Sequence, residues 1–298
     1  MAAREEDEVE SGEGPAAEHS AENRATPVDG AVSSQDYHDR ISSRYQRNAM
    51  VSRLSHLLED EFAERNLAQA LRRIHGRRVL DAGGGDGRWA EWLARRDYAV
   101  TLVDNSEQML RLARKRLAKS VAGLSVQVLP GDVRDLCALN DSSFDLVYAQ
   151  GDVLSYCGSP ADAVREFARL LVPRGVLVAS VDNLSPYWIR LVSANRHEEA
   201  ASVAKSRRST TSYVGGELRL ITHLFSPNSL GVLLREAGFT VCSVAAKAAW
   251  ADLVDTVPAS GARSRALRDR LAVARSRGRH SDFALIAARH IEATAILL

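Results

Sequence analysis

The chain reads as a doubly wound α/β protein built on a seven-stranded, mostly parallel sheet. Three observations carry that expectation. Val79-Leu80 is a short apolar run that ends at Asp81, breaks into the glycine-dense turn Ala82-Gly83-Gly84-Gly85-Asp86-Gly87 and passes straight into the helical pattern Arg88–Ala94. Strand, glycine turn and helix are the opening unit of a nucleotide-binding sheet. The β-branched run Ala99–Val103 ends in a second carboxylate, Asp104, before another helix start. Further strand candidates then alternate with helical patterns, the order that builds a parallel sheet.

Taken in order, residues 1–34 hold no aromatic residue and are acidic, from Glu5-Glu6-Asp7-Glu8 to Glu22. Such a stretch buries too little apolar surface to offset its ordering entropy, so it is expected to be a disordered tail. From Gln35 the pattern is helical: Tyr37, Ile41 and Tyr45 fall on one stripe, and a second helical run covers 51–74. Glycine is needed in the turn after Asp81 because positive φ costs it little and because a ligand can approach backbone that carries no Cβ. Asp104 follows Gly85 at the interval where a Rossmann acid meets ribose hydroxyls. One carboxylate serves both hydroxyls; the alternative is a cap for the helix that Ser106-Glu107-Gln108-Met109 opens.

Strand 3 is Ser125–Leu129, followed by Pro130-Gly131-Asp132-Val133. Strand 4 is Phe144–Gln150, with Asp145 entering from the far end in a structural role. Gln150, Gly151 and Asp152 emerge where ligands of open α/β sheets collect. The helix Asp162–Leu171 stops at Pro173-Arg174-Gly175 and strand 5 is Val176–Val181. Residues 184–222 break the rhythm with Tyr187, Trp188, a polar helix-like stretch, the basic group Lys205, Arg207 and Arg208, and strand-like Glu217–Thr222. A helix from Asn228 ends at Gly238, Phe239–Val244 forms strand 6, a helical hairpin covers 250–279, and strand 7 is His290–Leu297.

Length and charge bound the rest. With 298 residues and a formal net charge of +1, the chain has room for one large domain and is no polyanion binder by bulk field. Cys137, Cys157 and Cys242 lie far apart without metal or disulfide spacing, so no metal site is expected and a reducing cytoplasm fits. No apolar run reaches membrane-spanning length. Oligomeric state is left as monomer or homodimer.

The stretch Asp81-Ala82-Gly83-Gly84-Gly85-Asp86-Gly87, with Phe144-Asp145-Leu146-Val147 and Leu170-Leu171-Val172-Pro173-Arg174-Gly175 downstream, resembles the class I methyltransferases that use S-adenosylmethionine (SAM). That resemblance implies SAM as cofactor. It places Asp81, Gly83 and Gly85 against the methionine and ribose part of the ligand, and Asp104 and Asn105 at the ribose. Met109 lies beside the adenine or in the core. Asp132 reaches the adenine amino group, Val133 offers an N–H to the ring, and Gln150 faces the methionine. It also implies that Tyr37 and Tyr45 close the cofactor site from an N-terminal helical lid over 35–75, and that 184–222 is a substrate-side insertion.

A general base is needed only where the acceptor is protonated at working pH. The candidates are Asp152, Tyr156 and His223, with His197 a weaker one and a structural role open for His223. The expected activity is methyl transfer to oxygen, nitrogen or a carboxylate of a small molecule, in specialised metabolism. RNA modification is the alternative, since the glycine turn and Tyr45-Gln46-Arg47-Asn48 also look like bacterial tRNA wobble-uridine carboxymethyl methyltransferases, and arginines from 263 to 279 could meet phosphates. A non-catalytic SAM-fold binding protein is the third possibility.

Overall fold

The computed structural model describes residues 31–49, 54–120, 123, 125–213, 218–247 and 282–298. Strand, glycine turn and helix appear as expected: β1 (Arg78–Ala82), then α3 (Arg88–Ala94). Two helices precede them, α1 (Ser34–Ala49) and α2 (Leu54–Leu71). There follow β2 (Ala99–Asp104), α4 (Glu107–Ser120), β3 (Val126–Pro130), β4 (Phe144–Ala149), α5 (Val153–Tyr156), α6 (Pro160–Leu170) and β5 (Leu171–Asp182). The insertion is a helix pair, α7 (Leu184–Ser193) and α8 (His197–Ser206), and a hairpin, β6 (Arg208–Tyr213) with β7 (Leu218–His223). The chain closes through α9 (Pro227–Glu236), β8 (Phe239–Lys247), α10 (Asp282–Ala287) and β9 (His290–Leu297).

The seven-stranded sheet has the order β3-β2-β1-β4-β5-β9-β8. Strands β1 to β5 are parallel, and β9 runs antiparallel between β5 and β8. Every residue of β4 is buried, as a central strand covered on both faces requires. One face carries Leu67 of α2, Leu93 of α3 and Leu110 of α4 over Val79, Leu102 and Leu146. The other carries Phe167 of α6 and Leu230 of α9 over Leu80, Val147 and Leu177. The chain reverses direction in its order at β1 and β4, so the carboxyl rim there is the crevice in which such sheets hold ligands.

The boundaries of the expected lid change. α2 is a core helix, because Leu67, Ala70 and Leu71 are buried against the sheet. α1 overlies the rim, where Tyr37 and Ile41 pack with Leu218 and Leu220 of the hairpin. The backbone N–H of Val32 donates to Arg219 O at 2.9 Å, so ordered structure already begins before Ser34. The remaining residues of the acidic tail, the expected hairpin at 250–279 and the arginines from 263 to 279 lie outside the described residues.

Candidate active site at the carboxyl rim

The glycine turn hangs from β2: the N–H groups of Gly83 and Gly84 both donate to Val103 O, at 2.8 and 3.1 Å. Gly83 has φ +66°, and a Cβ there would meet Val153 Cγ2 at 2.6 Å, so this glycine is fixed by packing against the β4 side of the rim. Gly85, at φ +54°, has open space where a Cβ would project among the described residues, and so does Gly151 at φ +84° after β4. The rim therefore presents two side-chain-free backbone crests. Asp81, expected at the ligand, lies instead beneath the turn. It is 1% exposed, and its Oδ2 sits 2.8 Å from where a Gly84 Cβ would be. Burial raises its carboxyl to about 7, against the Ala90 N–H at the start of α3, which lowers it. Asp81 supports the loop from below.

Asp104 closes the β2 side. Its Oδ2 accepts from Gly85 N at 2.9 Å and its Oδ1 from Ser106 N at 2.8 Å. Burial pushes this carboxyl up, and those two N–H groups oppose the shift. A carboxylate offers about four acceptor positions, so two remain for hydroxyl donors. Asn105 is half-buried beside it, and Met109 is buried in the first turn of α4. α1 is pinned over this point by Asp39, whose Oδ1 accepts from Ser106 Oγ and, at 3.2 Å, from Gln108 N. A carboxylate is well matched to the exposed N–H groups at a helix start. His38 lies edge-on to Tyr37 at 5.4 Å and to Tyr156 at 6.3 Å, joining α1 to α5. Tyr37 is itself buried, and the side chain of Tyr45 lies outside the described residues. Asp132, expected at an adenine, is gripped by Arg134 through both oxygens, at 2.6 to 3.1 Å, and Val133 packs in the core.

The β4–β5–β9 side holds a polar cluster under the rim. His290 Nε2 lies 3.5 Å from Asp152 Oδ2 and 3.3 Å from Asp182 Oδ1, and its Nδ1 lies 3.6 Å from Glu59 Oε1. Lys247 Nζ donates to Gln150 Oε1 at 3.1 Å, Gln150 Nε2 donates to Glu292, and Asn66 Nδ2 donates to Glu292 Oε1 at 2.5 Å. Burial pulls the His290 imidazole down, yet Asp152, Asp182 and Glu59 together raise it to about 10. Burial raises Glu292 to about 7. Glu59 goes the other way, to about 2, because His290 outweighs its burial. Asp152 follows a positive-φ glycine and is itself left-handed, at φ 61°, a backbone state that a non-glycine residue holds only when its surroundings impose it. Its N–H donates to Ser180 Oγ at 3.1 Å, and Asp182 N donates to Ser155 Oγ at 2.9 Å, which ties the β4 and β5 rims together.

Of the catalytic candidates, Asp152 is in this cluster and Tyr156 borders it, raised by burial and by Asp182 and Asp152. His223 is elsewhere. It ends the hairpin strand β7 with Nε2 against Gly158 O at 3.0 Å, and burial lowers it. That bond gives it a structural role. His197 opens α8 in solvent. Gln150 spends one acceptor position of its amide on Lys247 and one N–H on Glu292, which leaves one of each. Sequence reasoning missed Asp39, Glu59, Asp182, Lys247, His290 and Glu292. One signal was available: Asp182 ends an apolar strand just as Asp81 and Asp104 do.

Residues 80–179 match the methyltransferase domain family. A ubiquinone biosynthesis O-methyltransferase of Alkalilimnicola ehrlichii is 34% identical over 120 residues, covering 40% of this chain and 47% of that protein. One of the same description from Caulobacter is 32% identical over 110 residues, covering 37% and 42%. The chain thus spans about half the length of the curated relatives it matches. Among solved structures, a SAM-dependent methyltransferase of Methanosarcina mazei aligns with a TM-score of 0.54 at 18% identity, over 76% of this chain and 95% of that one. The [4+2]-cyclase SpnF aligns with a TM-score of 0.54 at 19% identity, over 90% and 97%.

Proposed function

We propose that this protein, whose residues 80–179 match the methyltransferase domain family, transfers the methyl group of SAM to an oxygen of a small-molecule acceptor. The observation that carries the reading is the division of the rim. Two bare backbone crests and Asp104 stand on one side, and a cluster of buried carboxylates around His290 stands on the other. The residues fit the cofactor: Gly85 leaves room where a side chain would stand, and Asp104 keeps acceptor positions for two ribose hydroxyls. Bound SAM supplies an electrophilic methyl group on a sulfonium sulfur. Everything else falls to the chain's own side chains.

Those side chains have two tasks. One is to align the acceptor and exclude water, an effect worth ~7–11 kcal/mol in favourable cases. Tyr37, His38 and Ile41 on α1, with Leu218 and Leu220 on the hairpin, form an apolar cover suited to it. The other is to take a proton. A hydroxyl or phenol carries one at neutral pH, and a positioned base contributes typically ~10²–10⁴-fold. Asp152 is the side chain placed for this. It follows the open crest at Gly151, and Val153 beside it touches the cofactor turn at Gly83. The likeness to O-methyltransferases favours oxygen over nitrogen.

The test is methyl transfer from isotopically labelled SAM to pooled small metabolites, to catechols and phenols, and to tRNA. Label on a hydroxyl-bearing small molecule is the expected result. Label on tRNA, or none with SAM bound, would replace this reading with RNA modification or with a binding role.

A further inference from the structure

We propose that Asp152, Asp182 and His290 bind one divalent cation of borderline softness, such as Mn2+, Fe2+, Co2+ or Zn2+, on the acceptor side of the rim. In this site Glu59 holds the imidazole from behind. The proposal deepens the reading of that side as an acceptor pocket and rests on it.

Geometry comes first. One donor atom from each of the three residues lies within 4.8 Å of the others. The two distances from His290 Nε2, 3.3 Å to Asp182 Oδ1 and 3.5 Å to Asp152 Oδ2, suit donors around a shared ion. Ligands at ~2.0–2.1 Å in a tetrahedral site stand roughly 3.3–3.4 Å apart. They suit hydrogen bonds less well, because one ring N–H serves one acceptor at a time and prefers ~2.7–3.2 Å.

Asp152 supplies a second and independent observation. It is 6% exposed, its Oδ2 faces His290, and its buried Oδ1 has no hydrogen-bond partner among the described residues. Asp182 has a buried Oδ2 in the same position, with the Tyr156 hydroxyl bonded to the carboxyl as a whole. Desolvated carboxylate oxygens of this kind are costly unless something positive meets them.

Charge points the same way. Among the described residues, four carboxylates, from Glu59, Asp152, Asp182 and Glu292, meet three basic side chains, Lys247, His290 and Arg289. A divalent ion that takes the place of the His290 proton adds one net positive charge and balances them. The donor set selects the kind of ion, since one imidazole nitrogen with two carboxylates suits the later first-row metals better than all-oxygen Ca2+ or Mg2+ sites do. Glu59 Oε1 faces the opposite ring nitrogen at 3.6 Å, a few tenths of an ångström beyond hydrogen-bond length, and closing that gap would make the carboxylate–histidine–metal arrangement that fixes ring orientation and tautomer. Three protein ligands leave positions for an acceptor oxygen, whose proton an adjacent cation makes easier to remove, and the second oxygen of Asp152, Oδ1, stays open to take it.

The experiment uses the full chain, stripped with chelator and dialysed, and titrated with Mn2+ while the electron paramagnetic resonance signal of free aqueous Mn2+ is followed. Calorimetry with Zn2+ and Ca2+ runs in parallel. The expected result is one Mn2+ per chain, tighter Zn2+ and at least tenfold weaker Ca2+. Asp182→Asn and His290→Gln should each lose at least tenfold in Mn2+ affinity, and Glu59→Gln on the order of 10–100-fold. If those variants do not fold, bound Mn2+ must broaden the His290 ring signals of the wild-type chain before those of His197 and His223. Absence of saturable Mn2+ and Zn2+ binding, or equal binding by the variants, overturns the proposal. Asp104→Ala should lose SAM and keep Mn2+. Methyl transfer without a metal site sinks only this inference, and a metal site without methyl transfer sinks only the proposed function.

Discussion

Asp182 and His290 are cross-strand partners, the last residue of β5 against the first of β9 in an antiparallel ladder, with Oδ1 and Nε2 3.3 Å apart. The relationship follows from topology. A strand entering the sheet in reverse starts at the rim where its parallel neighbour ends, so the opening residue of β9 reaches the ligand side. Asn183, the next residue, holds the arrangement. Its Nδ2 donates to Leu285 O and Ala288 O, at 2.6 and 2.7 Å, which anchors the segment leading into His290. Asn183→Ala leaves those carbonyls without that donor and should cost roughly 1–3 kcal/mol. Urea unfolding reads this directly, and an unchanged midpoint would mean that α10 holds itself in place.

Asp39 should matter to cofactor affinity without touching cofactor. It fastens α1 to the start of α4 through Ser106 and Gln108. Asp39→Ala loses an interaction of the capping kind, about 1 kcal/mol, and frees the cover. Faster amide exchange along α1 and a several-fold higher KM for SAM, with kcat little changed, are the expected readings. Protection in α1 equal to wild type would show that the apolar contacts of Tyr37 and Ile41 suffice.

What the sequence disclosed and what it hid divide along a physical line. The glycine turn was legible because positive φ and the switch from strand to helix period are local properties written in consecutive residues. Asp104 was legible because an acid at a strand end is a position on the rim whatever the rest of the fold does. Asp152, Asp182, His290 and Glu59 come from four separate segments, and nothing in their spacing announces that they meet. The hairpin strand Arg208–Tyr213 was also hidden, since a run of Ser and Thr has no apolar alternation and is defined by its partner β7. Asp81 misled for the opposite reason. Its place in the motif was read correctly, but its burial beneath Gly84 is a matter of packing that consecutive residues do not record.

The cysteines should react in two classes. Burial pushes the Cys157 thiol up to about 12, whereas Cys137 and Cys242 are exposed. A raised thiol pKa means less thiolate at any lower pH, so Cys157 stays protonated and slow at pH 8. Mass spectrometry after brief alkylation of the folded chain should find Cys157 unmodified, and denaturant should release it. Early labelling of Cys157 would show that its environment opens readily.

Acid should weaken the amino-terminal end of β1. Burial raises the Asp145 carboxyl, but its bonds to the Arg78 guanidinium and backbone N–H dominate and hold it below its ordinary value of 3.8. A carboxyl lowered by folding adds stability that is present above its unfolded pKa and lost as pH falls through its folded pKa. Arg78 is half exposed, so water screens the pair and the contribution is about 1 kcal/mol or less. Asp145→Asn should therefore lower Tm at pH 7, and the difference from wild type should shrink as pH falls below 3.8. A pH-independent difference would assign the effect to the tight corner at Gly76, where a Cβ would collide with this side chain at 2.2 Å.

Two glycines of one turn should fail in different ways. Gly83→Ala drives a Cβ into Val153 at 2.6 Å and holds alanine at φ +66°, so stability should fall by about 1–3 kcal/mol. Gly85→Ala meets no protein atom among the described residues, leaving only the left-handed backbone cost of roughly 1 kcal/mol. Its methyl group projects into the space read here as the cofactor's, so it should fold and bind SAM at least tenfold more weakly. Asp104→Ala should lose at least as much affinity by calorimetry, because the hydroxyl acceptor is gone. Its turn also loses the bond to Gly85 N, so Asp104→Asn, which keeps an acceptor oxygen, separates the two contributions. If Gly85→Ala and Asp104→Ala both bind SAM as the wild type does, the rim over Gly85 and Asp104 is not where the nucleoside lies.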